Sequence, residues 1–221
     1  MLLDLLAPPL CWSCRSPAVR GEPLCRDCRG SLRFLPPAPV TLRGLQVWAP
    51  LAYDGPAADL VKALKFHAAA RVAGAMAALI VANAPREGGL REGGLLANAP
   101  REGGLLDGAL VPVPLHPARS RVRPFNQAAL LATSISTRTG LPLSDCLRRA
   151  GSDQSQVGRG RAARITGAAG SVDAVKAAPL HALLVDDVVT TGATLAACAA
   201  ALRAAGAEQV RAVAFARTAG R

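Results

Sequence analysis

Aromatic side chains are scarce in this chain: two Trp, one Tyr and four Phe make up 3% of its 221 residues. So few rings weigh against a surface that grips unpaired nucleotides mainly by base stacking. Lysine is nearly missing too, with Lys62, Lys65 and Lys176 the only ones among 26 cationic residues. No uncharged apolar run approaches the roughly 20 residues that a membrane helix needs, so no membrane insertion is expected. The opening, Met1 to Leu10, is apolar but short and has no basic leader, which makes it a poor export signal and points to the cytoplasm. There is no Gly-Lys step of the kind that closes a nucleotide-binding P-loop.

Acidic residues are also few, 15 against the 26 cations, for a formal charge of +11. The excess is uneven: residues 111 to 170 hold nine Arg against Asp145 and Asp153, a net of +7. Such a stretch suits a polyanion, either a pyrophosphate-bearing substrate or a nucleic-acid backbone. A general bias toward Ala, Gly and Arg is the competing explanation. With 51% hydrophobic residues the chain has enough to build one α/β domain and a small appendage, and disorder throughout is excluded.

The appendage is written in cysteine. Cys11-Trp-Ser-Cys14 is followed after ten residues by Cys25-Arg-Asp-Cys28. Each pair presents two thiolates from a tight knuckle, and two knuckles complete a tetrahedral zinc site on Cys11, Cys14, Cys25 and Cys28, structural and closed. Two disulfides are the alternative, disfavoured in a reducing compartment. Cys146 and Cys198 stand in apolar surroundings and read as small core residues. Pro36, Pro37 and Pro39 then stiffen the chain, so the expected division is a zinc-knuckle module over residues 1–40 and a main domain over 41–221.

Along the main domain, Leu45 to Tyr53 reads as a strand, with helices over Pro56–Phe66 and Ala68–Ala82. Residues 82–107 are low in complexity: ANAPREGGL stands at 82–90 and again at 97–105, with REGGL also at 91–95. Glycine pairs and opposed charges cannot bury a face, so this is a surface insertion. Ala109 to Pro114 is a second buried strand, followed by a proline-bounded loop that carries Arg119 and Arg121 near a strand end. Guanidinium forks there are candidates for holding a pyrophosphate. A helix over Phe125–Arg138 begins at Asn126, and a strand is expected over Leu141–Leu147. The basic stretch from Arg148 to Gly170 has the character of a lid over a polyanion. Strands and helices alternate, which predicts a doubly wound parallel α/β sheet.

The chemistry concentrates in Ala182 to Thr194, ALLVDDVVTTGAT. It reads as a buried strand, an acidic pair Asp186-Asp187 at its carboxyl end, and a tight loop opening a helix over Leu195–Ala205. Free amides at that helix start form an anion site, Gly192 allows close approach, and the hydroxyls of Thr190, Thr191 and Thr194 add donors. The two carboxylates would repel a phosphate, so they suit sugar hydroxyls or a hydrated Mg²⁺. This segment resembles the 5-phosphoribosyl-1-pyrophosphate (PRPP) signature of the type I phosphoribosyltransferases. The resemblance implies PRPP and Mg²⁺ as ligands, with Asp186 and Asp187 as catalytic residues on the ribose diol. Thr190, Thr191, Gly192, Ala193 and Thr194 would hold the 5′-phosphate, and Lys65 would join Arg119 and Arg121 on the pyrophosphate.

With the paired CxxC knuckles, Tyr53-Asp54-Gly55, Lys65-Phe66, PVPLHPAR at 112–119, FNQ at 125–127 and the acidic signature, the chain resembles the ComF family of competence-associated proteins. The likeness spans nearly everything but the repeat. Arg164 also matches, whereas Arg159 and Gly167 stand where that family has a Leu and an Asn. It implies a phosphoribosyltransferase whose acceptor is open, or a module that binds incoming single-stranded DNA. Competence helicase or DNA-processing proteins are the partners it implies.

Overall fold

The computed structural model describes residues 9–66, 69–85, 106–115, 125–149 and 172–218. Residues 1–8 of the apolar opening, 86–105 of the repeat region, His116, Arg119 and Arg121 of the basic loop, and residues 150–170 of the expected lid lie outside them.

The elements in chain order are α1 (Arg26–Gly30), β1 (Val40–Leu42), β2 (Leu45–Trp48), β3 (Leu51–Ala52), α2 (Gly55–Phe66), α3 (Ala69–Asn83), β4 (Ala109–Pro112), α4 (Gln127–Thr139), β5 (Leu147–Arg149), β6 (Val172–Ala174), β7 (His181–Val189), α5 (Ala193–Ala204) and β8 (Gln209–Arg217). Among the described residues six strands form one sheet in the order β1-β2-β8-β7-β4, with β3 also on β8. Every pairing is parallel except β1 with β2.

Helices cover both faces, so the central strands are apolar on both sides, as parallel strands must be. Leu183 and Val185 of β7 with Val213 and Phe215 of β8 pack under α2, α3 and α4. The alternate residues, Ala182, Leu184, Val210, Ala212 and Ala214, pack under α5. This is the mixed α/β fold that the alternation of elements predicts.

Some boundaries differ for local reasons. The strand expected over Leu45–Tyr53 arrives in two pieces with one register on β8, Trp48 opposite Val213 and Leu51 opposite Ala216. Pro50 sits in the gap and has no N–H to give the ladder. The expected Leu141–Leu147 strand is a single bridge, Leu143 to Leu110, and regular pairing starts only at Leu147, in a separate two-stranded ribbon of β5 and β6. The Ala109–Pro114 strand stops at Pro112, while the signature strand runs through the acids to Val189.

The cysteine module packs against the sheet's α2 face. Cys11, Leu24 and Leu32 belong to the same buried cluster as Trp48, Leu51 and Leu60. Ser13 Oγ donates to Asp59 Oδ2 of α2 at 2.8 Å, and Leu35 N donates to Pro50 O at 2.8 Å.

Candidate functional site

Consecutive residues of a strand point to opposite faces, so Asp186 and Asp187 diverge although they share one strand end. Asp187 turns toward α2, where Lys65 Nζ lies 3.0 Å from its Oδ2. That oxygen is buried and, despite the short ion-pair distance, no donor meets it in hydrogen-bond geometry. The other oxygen, Oδ1, accepts from Val188 N at 2.9 Å, and Asp186 Oδ1 accepts from Asp187 N at 2.8 Å. Asp186 turns toward α5. Burial first, then the charge of Asp187, hold its carboxyl well above the ordinary carboxylate range. Burial, with Asp186's charge behind it, pushes the Cys198 thiol of α5 up to about 12.

The loop after β7 brings the start of α5 beside these acids. Gly192 is the N-cap, at φ 73° and ψ 5°, and no side chain caps the helix. Ala196 N, bonded to Gly192 O at 2.9 Å, opens the backbone ladder. Ahead of it, the Ala193 amide meets only the Thr191 hydroxyl among the described residues, at 3.5 Å. The amides of the first turn are thus turned to an incoming acceptor. Thr190, Thr191 and Ala193 are exposed, and Thr194 is half-buried.

Asp186, Asp187, Thr190 and Thr194 line one cavity of about 370 Å³. Lys65 and Tyr53 close a second side, and Asn126, Gln127 and Arg149 a third. An adjoining cavity of about 430 Å³ shares Pro114, Leu115, Asn126 and Arg149 with it. Asn126 is fixed by two bonds: Oδ1 accepts from Ala128 N at 3.0 Å, and Nδ2 donates to Val113 O at 3.0 Å. The sequence assigned Tyr53, Gln127 and Arg149 no role in the site: Tyr53 and Gln127 stood out only as members of motifs that carry the family resemblance, and Arg149 only as part of the basic stretch. Asn126 was legible as a helix start and as part of the FNQ motif, not as a wall of the cavity.

The four cysteines of the two knuckles come together. Their sulfurs all lie within 4.8 Å of one another, with Cys14 and Cys25 at 3.6 Å. Tetrahedral thiolates at a Zn–S distance of 2.3 Å stand about 3.8 Å apart, so the set fits a zinc ion. All six cysteines are free thiols. Desolvation, then the sulfurs of Cys14, Cys25 and Cys11, push Cys28 up to about 12, a crowding that a cation relieves.

Residues 127–221 match the family model of the phosphoribosyl transferase domain, somewhat less than half of the chain. No curated protein matches it. Among solved structures, the chain is similar to a glutamine phosphoribosylpyrophosphate amidotransferase from B. subtilis complexed with ADP and GMP, at 20% identity and a TM-score of 0.35, over 50% of this chain and 23% of that one. It is similar to a Leishmania donovani UMP synthase at 17% identity and a TM-score of 0.35, over 85% of this chain and 28% of that one. A hypoxanthine phosphoribosyltransferase from Staphylococcus aureus gives 18% identity and a TM-score of 0.28, over 48% of this chain and 51% of that one. The chain thus spans between 23% and 51% of the length of these solved chains.

Proposed function

We propose that the chain binds PRPP across Asp186, Asp187 and the Thr190–Thr194 loop and transfers its ribose 5-phosphate to an acceptor, releasing pyrophosphate. The observation that carries this is the single cavity in which both acids meet a glycine-capped helix start. In the reaction the C1′–O bond to pyrophosphate breaks and a bond from the acceptor's nucleophile forms, through an oxocarbenium-like ribose. Catalysis of that kind needs negative charge near the ring and a held leaving group more than a strong base. Asp186 and Asp187 fix the 2′ and 3′ hydroxyls and place charge beside the developing cation. Thr190, Thr191, Gly192, Ala193 and Thr194 hold the 5′-phosphate. Lys65 compensates Asp187 in the empty site and turns to the pyrophosphate in the filled one, with Arg119 and Arg121. The adjoining cavity receives the acceptor.

The Oδ2 of Asp187, ion-paired to Lys65 but met by no donor in hydrogen-bond geometry, suits a hydrated Mg²⁺ as well as a hydroxyl, and the metal would supply charge neutralisation at the pyrophosphate. The zinc on Cys11, Cys14, Cys25 and Cys28 has a structural role.

Calorimetric titration with PRPP, with and without Mg²⁺, followed by pyrophosphate release against a panel of bases, tests the reading. Asp187→Asn is expected to keep the fold and lose most Mg²⁺-dependent affinity, about 2 kcal/mol for a charge-assisted contact. Thr191→Val is expected to weaken binding through the lost phosphate donor. If both variants bind PRPP as the parent does, the reading is wrong.

The +11 charge favours a second activity, binding of single-stranded DNA in natural competence, as the ComF resemblance implies. Phosphate contacts would dominate it, so log affinity should fall steeply with log salt, by roughly 0.7 per phosphate engaged, with little sequence preference. Binding absent at low salt, or indifferent to salt, would remove it.

A further inference from the structure

The β1–β2 hairpin turns in two residues, with Leu42 paired to Leu45. Arg43 stands at φ 50° and Gly44 at φ 74°, the left-handed pair that such a turn demands. Asn, Asp or Gly fill the first position without much strain, whereas an arginine there is disfavoured. The hairpin nonetheless presents an arginine, and its side chain goes to the candidate phosphate loop. Arg43 Nε donates to Thr191 O at 3.2 Å, across 148 residues of sequence. The neighbouring Leu42 closes on the same loop: a Cβ on Gly192 would stand 3.0 Å from Leu42 Cβ. Arg43 is exposed, and beyond Thr191 O it has no partner among the described residues. It also lies outside the segment, 127–221, that matches the transferase domain.

We propose that Arg43 is a positioning residue for the 5′-phosphate: its Nε fixes the Thr191 carbonyl away from the ligand, and its charge favours the phosphate dianion over the monoanion. This rests on the reading of Thr190–Thr194 as a phosphate loop. A carbonyl engaged by a guanidinium cannot turn toward a bound phosphate, and the unused guanidinium N–H groups leave positive charge at the Thr190–Thr194 loop.

The left-handed backbone makes a clean variant available. Arg43→Gly removes the side chain and relieves the strain, so the fold should melt at the same temperature as the parent or higher. Binding is measured by calorimetry with ribose 5-phosphate and, separately, with inorganic pyrophosphate and Mg²⁺. R43G should bind ribose 5-phosphate about 10-fold more weakly at pH 7.5, the scale of a charge-assisted contact, and pyrophosphate unchanged. From pH 5.5 to 7.5 the parent's affinity for ribose 5-phosphate should rise as the phosphate loses its second proton, near pH 6. That rise should flatten in R43G and persist in Arg43→Lys, which keeps the charge. A loop held only by packing would not move the pH profile. Parental ribose 5-phosphate affinity in R43G overturns the proposal, as does an equal loss for both probes or an unchanged pH slope. A parent that binds no ribose 5-phosphate overturns instead the phosphate-loop reading beneath it.

Discussion

Two adjacent carboxylates with different environments are the residue-level fact from which the chemistry follows. Asp187 has Lys65 at 3.0 Å, whereas Asp186 is desolvated and faces a neighbour of its own sign. A carboxyl whose pKa is raised by folding holds its proton longer in the native chain than in the unfolded one. Stability therefore falls as pH rises through the ordinary carboxylate range toward the raised value, and the loss is complete only above it. Asp186→Asn cannot ionise, yet its carbonyl can still accept from Asp187 N. The empty variant should thus be more stable than the parent at pH 7, by on the order of 1 kcal/mol for a poorly compensated buried group, and the advantage should vanish near pH 3. Urea denaturation at both pH values reads this directly. Equal stability at pH 7 would mean that solvent or Lys65 already compensates Asp186. The acid pair was legible in the sequence because its spacing is local. That Asp187 would meet Lys65 rather than solvent was not, since residues far apart in the chain are brought together only by α2 packing on the sheet.

Elements were legible where their signals are local and mutually consistent. A short apolar run ending in an acid pair marked β7, and the run of Ala and Leu before Gly206 marked α5. Asn126 marked α4, and it does cap that helix, accepting from Ala128 N while donating to Val113 O at the end of β4. Its replacement by Ala removes one helix cap, which costs about 0.5–2 kcal/mol, and leaves the Val113 carbonyl without its donor. The chemical midpoint of unfolding should drop accordingly with an unchanged m-value; no drop would show that solvent replaces both bonds. Illegible elements were those decided by partners. Pro50 interrupts a strand without changing its register, Leu143 makes one bridge where a strand was expected, and Arg43 gives no turn signal at all. A further boundary moved for a general reason: the signature strand continues past its acids because β8 offers pairing partners as far as Arg217.

At the scale of the whole molecule the cysteine module is joined to the α/β body by buried contacts as well as by chain. Prolines 36, 37 and 39 suggested a division near residue 40, a boundary inferred from backbone stiffness alone. Burial adds another consideration, because Cys11, Leu24 and Leu32 are at most 7% exposed and share their cluster with Trp48, Leu51 and Leu60. Ser13–Asp59 and Arg33–Asp54, at 2.8 and 2.7 Å, tie the same face, though the exposed ion pair adds little. A metal that holds the knuckles together would therefore also hold one wall of the main core. We expect the purified chain to carry about one zinc per molecule, and Cys25→Ser to lose it. Releasing Leu24 and Leu32 to solvent forfeits roughly 3 kcal/mol or more of apolar burial. For a chain of this size that lowers the midpoint of the main thermal transition by roughly 6–12 °C. Trp48, 2% exposed, should report the loosening as a red-shifted emission in the Trp12→Phe background, where it is the only tryptophan. If Cys25→Ser loses its zinc while the main transition and the Trp48 emission stay where they were, the knuckles fold as an independent unit and their contacts with α2 carry no net stability.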